Sequence, residues 1–163
     1  MKLYTPPKKS RKGQNGRLLI IGGSREYHGA PMLSILAARR FVDLVYLYPP
    51  DRGAPLIKAV KTIPEVIVKR SAPRLPEYDC VLFGVGLGNA RFSVSKLAKA
   101  KRLVVDGDGL KRVKGKIPKE CVLTPHEGEF KALFGVPGTE RSVKAMAKRH
   151  SCVILKKGPV DII

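Results

Sequence analysis

The stretch Cys121-Val-Leu-Thr-Pro-His-Glu-Gly-Glu-Phe130 ends a short apolar run at Thr124-Pro125 and passes at once to His126, Glu127 and Glu129. Proline has no N–H to give a ladder and biases the residue before it away from helix, so a strand ends and a helix begins within about two residues. His126 is thereby placed at the mouth of a strand-to-helix turn. In a parallel α/β sheet that mouth is a ligand edge, because the carboxyl ends of the strands face a crevice and the helix N-termini present unpaired N–H groups.

Working outward, the same junction recurs. Arg17-Leu-Leu-Ile-Ile21 reads as a strand closed by Gly22-Gly23, with Pro31 opening a helix from Met32 to about Phe41. Leu44–Tyr48 is a second strand stopped by Pro49-Pro50, followed by a short helix around Leu56–Val60 and a weak strand at Val66–Val68. Ser71–Tyr78 is loop, Cys80–Phe83 a buried strand, Asn89 the cap of a helix to about Lys99, and Arg102–Val105 the next strand. Beyond the opening motif a short helix continues through Phe130–Phe134. Thr139 caps another helix to about Arg149, Cys152–Leu155 is a strand, and Asp161-Ile-Ile163 reads as the start of one more. Continuous apolar strands alternating with helices predict a three-layer α/β sandwich whose sheet is mainly parallel and covered on both faces. Residues 1–16, polar and basic with Pro6-Pro7, are a lead-in arm, and residues 17–163 form one domain.

If the strands are parallel, five chemically loaded loops share one edge: 22–31, 84–89, 106–110, 124–129 and 156–161. Each has a structural alternative. The glycine loops suit ordinary turns, and Asp106 and Asp108 suit a turn cap. Glu127 and Glu129 suit the helix dipole, as does His150 late in its helix, while His28 suits a solvent-facing loop. Lys156 and Lys157 are either a charged strand end or mobile point charges for a phosphate.

The chain has 163 residues, 44% of them hydrophobic, which suits one domain with a real core. Thirty-two Lys and Arg against thirteen Asp and Glu give a net charge of +19, which favours anionic partners such as nucleotides, phosphorylated metabolites or nucleic acid, or a well-solvated surface. Aromatic residues are only 6% and Trp is absent, a poor basis for a base-stacking platform. Cys80, Cys121 and Cys152 lie in or beside apolar runs with no metal-ligand spacing, as expected of reduced thiols in a cytoplasmic protein. No apolar run is long enough to span a bilayer, so no membrane partner is expected.

Taken in order, the loops resemble the NAD(P)H-hydrate dehydratase family, a branch of the ribokinase-like fold. The resemblance rests on Gly22-Gly-Ser…Tyr27-x-Gly-Ala-Pro31, Gly84-x-Gly-Leu-Gly88, Val105-Asp-x-Asp-x-Leu110, Leu123-Thr-Pro-His-x-Gly-Glu-Phe130 and Lys157-Gly-x-x-Asp161, and covers residues 14–163. It implies repair of damaged nicotinamide cofactors: NADHX or NADPHX is dehydrated to NADH or NADPH at the expense of ADP or ATP, with Mg²⁺ accompanying the nucleotide. By the same resemblance Ala30, Gly86, Gly88, His126 and Glu129 line the hydrate pocket, with Tyr27, Asp106 and Asp108 as further lining. Lys157, Gly158 and Asp161 fall on the nucleotide side. No catalytic residue and no metal ligand is assigned.

Members of that family continue into an Asn-x-Gly…Gly-Thr-Gly-Asp segment that stabilises the transferring phosphoryl group and activates the attacked hydroxyl. No such segment follows here, so a C-terminally incomplete ribokinase-like domain is expected. The expected forms are a truncation, one half of a split enzyme, or a relative that binds without turnover. An unfinished sheet would leave an edge and an apolar face that self-association, or a completing partner chain, would cover. A small-molecule kinase of the same fold and a basic nucleic-acid-binding protein are the alternative functions.

Overall fold

A computed structural model describes residues 4–52 and 54–163. Seven strands form one sheet in the order β3-β2-β1-β4-β5-β6-β7: β1 Arg17–Ile21, β2 Leu44–Tyr48, β3 Val66–Val68, β4 Cys80–Phe83, β5 Leu103–Val105, β6 Val122–Leu123 and β7 Val153–Ile154. Every pairing between these strands is parallel. The carboxyl ends therefore all lie along one edge, as the loop pattern predicts. Five α-helices connect them: α1 Gly29–Ala38, α2 Ala54–Val60, α3 Asp108–Val113, α4 Glu127–Phe134 and α5 Glu140–His150.

Alternation along β1 sorts the core into two layers. Leu19 and Ile21 point into a large cluster with Phe83, Val105 and Leu123, sealed by Leu110 and Val113 of α3, Phe130 of α4 and Val143 of α5. Ile20 points the other way, into a smaller cluster with Leu47, Ile35 of α1, and Leu56 and Val60 of α2. Helical cover on this second face stops at the middle of the sheet. Val104 and Val122 are only half-buried and Val153 is 50% exposed, so the expectation of two fully covered faces holds over β1 and β2 but not over β5–β7.

Several local readings are corrected. Helix α1 starts at Gly29 rather than Met32, with Pro31 in its first turn, where the N–H has no helical partner in any case. Asn89 caps no helix. The chain there turns at Gly88, runs extended past Phe92, and forms only a 3-10 segment at Val94–Lys99, because a Ser- and Val-rich stretch has little helix propensity and the Ser93 and Ser95 hydroxyls bond each other at 2.9 Å. Residues 75–77 within the expected loop make one 3-10 turn. Helix α3, directly after Gly107, was not anticipated. Asp161–Ile163 begin no parallel strand: Ile162 pairs antiparallel with Lys156 through two backbone bonds of 2.9 and 3.0 Å.

Of the lead-in arm, residues 1–3 lie outside the described residues. The remainder is tied down by Asp43, whose Oδ2 accepts from the N–H groups of Gly13 and Asn15 and from Asn15 Nδ2, each at 3.0 Å. These bonds, led by the Asn15 amide, hold the Asp43 carboxyl below its ordinary range.

Candidate functional site

Strands β1 and β4 are neighbours, yet the chain leaves β1 toward β2 and β3 and leaves β4 toward β5, β6 and β7. The carboxyl end of this pair is the topological switch point, where open α/β sheets bind ligands. Its floor is built from glycine because backbones meet there. Gly84 (φ 111°) is buried, and a Cβ on it would overlap Asp106 O and the backbone of Gly109. Gly86 (φ 59°) faces Tyr27 O, which a Cβ would approach to 2.8 Å, and Pro31.

Above this floor lies a cleft of about 740 Å³, lined by Arg25, Tyr27 and Asp51 on one side and by Gly88, Asp108 and Arg112 on the other. Helix α3 fastens the glycine loop: Asp108 Oδ2 accepts from Gly88 N at 2.8 Å, and Arg112 donates to Gly88 O at 3.1 Å and to Ala90 O at 3.4 Å. Lys111 stands 3.6 Å from Asp108 and lines the cleft too. Three cations, Arg25, Lys111 and Arg112, border this space together with three acids, Glu26, Asp51 and Asp108, of which Asp51 accepts from Arg25 N at 2.8 Å and Asp108 from Gly88 N at 2.8 Å. Lys and forked Arg donors at such a cleft suit a phosphorylated ligand.

Lys111 also borders a second hollow of about 420 Å³ that holds His126, Gly128 and Glu129 beside Leu110, Lys114 and Leu133. His126 is the N-cap of α4. Its Nδ1 accepts from Glu129 N at 3.3 Å, and Glu129 Oε2 accepts from His126 N at 2.9 Å, a reciprocal capping box. Glu129 is 14% exposed and spent on this cap, whereas the His126 ring is 62% exposed, with Nε2 3.5 Å from Glu129 Oε2. Substituting alanine for His126 is expected to cost about 0.5–2 kcal/mol through the lost cap, and asparagine to recover most of it. Thermal unfolding of the two variants checks the difference.

The third assembly links β5, β6 and β7. Asp106 Oδ1 accepts from Thr124 Oγ1 at 2.8 Å and from Lys157 Nζ at 2.7 Å, while Lys157 N donates to Pro125 O at 2.8 Å and pairs with His126 in a parallel bridge. Lys156, only 13% exposed, reaches Glu127 at 2.9 Å, and Glu127 also accepts from Gly138 N at 2.9 Å. The Gly138 bond, then Lys156, hold the Glu127 carboxyl below its ordinary range. Asp43 and Glu127 therefore stabilise the fold fully only above the ordinary carboxylate values of about 3.9 and 4.3, and that contribution is lost as the pH falls through their depressed native values. Acid scans of Tm should fall from about pH 5 downward, and less steeply for Glu127→Gln than for the unaltered chain.

Of the residues singled out from the sequence, Tyr27, Gly88 and Asp108 meet in the first cleft, with Gly86 beneath Tyr27 and Ala30 exposed in the first turn of α1. His126 and Glu129 meet in the second hollow. Asp106 joins Lys157 to Thr124 without bordering either space, and Gly158 and Asp161 close their own turn through Gly158 N to Asp161 Oδ1 at 3.1 Å. Sequence reading passed over Arg112 and the double role of Lys111. Their spacing of three and four residues after Asp108 was the available signal, once that stretch is read as a helix.

Residues 18–163 match the family model described as NAD(P)H-hydrate dehydratase. The chain belongs to the NAD(P)H-hydrate dehydratase family. Curated relatives include the bifunctional NAD(P)H-hydrate repair enzyme Nnr of Hyperthermus butylicus, 37% identical over 95% of this chain and 35% of its own length. Another is the ADP-dependent (S)-NAD(P)H-hydrate dehydratase of Cenarchaeum symbiosum, 37% identical over 94% of this chain and 63% of its own. The chain thus spans between about a third and two thirds of the length of these relatives. Among solved structures, the ADP/ATP-dependent NAD(P)H-hydrate dehydratase of Bacillus subtilis, co-crystallised with ATP and Mg²⁺, superposes with a TM-score of 0.77 at 26% identity, over 98% of this chain and 64% of that one. A ribokinase-like protein of Enterococcus faecalis, with a TM-score of 0.76 at 22% identity, has the same fold.

Proposed function

We propose that this carboxyl edge binds the hydrated nicotinamide nucleotides NADHX and NADPHX together with ADP or ATP, in the service of their dehydration to NADH and NADPH. The observation that carries the reading is the meeting of the glycine floor, the cleft bordered by Arg25, Lys111 and Arg112, and the exposed His126 ring on one edge, with Lys111 common to both hollows. A dinucleotide is long enough to need two adjoining spaces, and its diphosphate suits Arg25, Lys111 and Arg112. In this reading Ala30, Gly86, Gly88, His126 and Glu129 serve the hydrate, and Lys157, Gly158 and Asp161 serve the adenine nucleotide. A nucleotide phosphate there would share Lys157 with Asp106. Among the described residues no cluster of three or more His, Cys, Asp or Glu side chains is placed to hold a metal ion, so Mg²⁺ would arrive on the nucleotide phosphates.

The same reading includes a cytoplasmic setting, in keeping with three free thiols, and a homo-oligomer or completing chain over the bare β5–β7 face. No helix among the described residues is long and apolar enough to cross a membrane. The test is incubation with NADHX, ADP or ATP, and Mg²⁺, following recovery of NADH absorbance, beside a binding titration of each ligand. Recovery that requires the nucleotide, or saturable binding of both ligands, supports the proposal. Failure of both ligands to bind at millimolar concentration overturns it.

A further inference from the structure

Cys121 and Cys152 immediately precede the neighbouring parallel strands β6 and β7. Val122 pairs with Val153 and Leu123 with Ile154, so the cysteines occupy the matching positions one step earlier, at the amino ends of β6 and β7, and Val153 N donates to Cys121 O at 2.9 Å. Adjacent in-register positions lie within the Cα separation a disulfide tolerates. The thiols are neighbours, and the proximity of Cys152 together with burial raises the Cys121 pKa. Cys121 is wholly buried, whereas Cys152 is partly exposed on an open hollow beside Val143, Ala147 and Ile154. One thiol is therefore reachable from solvent and the other stands directly behind it. Neither takes part in the carboxyl-edge site, at the opposite end of the same strands.

We propose that Cys121 and Cys152 are a site of reversible oxidation, forming an intrachain disulfide that staples β7 to β6 when the protein meets a peroxide. The Cys152 thiolate attacks one peroxide oxygen, an S–O bond forms as the O–O bond breaks, and the departing hydroxide takes up the thiol's proton to become water. Cys121 then attacks the Cys152 sulfur; the S–S bond forms, the S–O bond breaks, and a second water leaves with the Cys121 proton. Two thiols lose two electrons in total and the peroxide gains them. Exposure sets this order of attack, because Cys152 borders the open hollow and Cys121 is buried behind it. Cys80 is the internal comparison, since its pKa is raised by burial and no second thiol contacts it. The cross-link would enclose α4 and α5, and with them His126 and Glu129, between two tied strand ends.

The test is treatment of the whole chain with hydrogen peroxide, then alkylation in denaturant and peptide mapping. The expected product is about 2 Da lighter, with the Cys121 and Cys152 peptides joined and Cys80 still alkylated, and dithiothreitol restores the original mass. In Cys121→Ser, peroxide should leave a sulfenic acid on Cys152 that dimedone traps. Mapping of the unaltered chain does not depend on that variant folding. A mixed pairing with Cys80, a disulfide between chains, or sulfinic acid on Cys152 with Cys121 still free would overturn the proposal.

Discussion

Gly84→Ala is expected to remove more than about 4 kcal/mol of stability, a large part of the 5–15 kcal/mol typical of a domain, and so to leave little folded protein. The glycine is buried at φ 111°, where any side chain is strained, and its missing Cβ would occupy the same space as Asp106 O and the Gly109 backbone. Backbone cannot swing aside as a flexible side chain does. Rotation of Gly84 itself is opposed on both sides, because Gly84 N donates to Ile21 O at 3.0 Å and Asp106 N to Phe83 O at 3.0 Å. Gly115→Ala is the comparison. That glycine also has positive φ (75°) but nothing within 4 Å of the added Cβ, so only the conformational cost of about 1 kcal/mol remains. Thermal unfolding distinguishes them: a Gly84→Ala protein melting within a few degrees of the unaltered chain would mean that β4 and α3 do not meet as described.

Asp106→Ala should cost about 1–3 kcal/mol, the scale of polar groups losing their partner, toward the lower end because Asp106 and Lys157 are 29% and 42% exposed. The substitution strands Lys157 Nζ, leaves Thr124 Oγ1 only its 3.3 Å bond to Val105 O, and unties three strand ends. Asp106→Asn keeps an acceptor and loses the charge, so it should fall between alanine and the unaltered chain. A double-mutant cycle with Lys157→Met checks the account in urea. A coupling energy near zero would show that the 2.7 Å pair contributes nothing.

Most of the succession of strands along the chain was legible because proline and glycine punctuate it. Pro49-Pro50, Gly84 and Pro125 stop apolar runs whose register then follows from burial, and the Thr124–Glu129 turn could be placed from Pro125 alone. What escaped was decided by contacts distant in sequence. Asn89 has the chemistry of a cap, yet Arg112 and Asp108, some twenty residues on, hold Gly88 and Ala90 in a turn instead. Helix α3 was hidden because Asp-Gly-Asp-Gly favours turns locally, and only packing of Leu110 and Val113 into the core makes it helical. At the site, Glu127 and Glu129, weighed from the sequence only against the helix dipole, also accept from backbone N–H groups, and Lys157 reaches back to a carboxylate 51 residues away that no local pattern reveals.

The central claim, that the edge around His126 receives the hydrated cofactor, is tested most directly by calorimetric titration of NADHX and of ADP into the unaltered chain and His126→Asn. Asparagine keeps the N-cap, so a loss of binding cannot be ascribed to an unravelled α4. The account predicts that NADHX binding weakens by roughly 5- to 150-fold, equivalent to about 1–3 kcal/mol, while ADP binding changes by less than about twofold. Equal losses for the two ligands, or no loss for either, would contradict it.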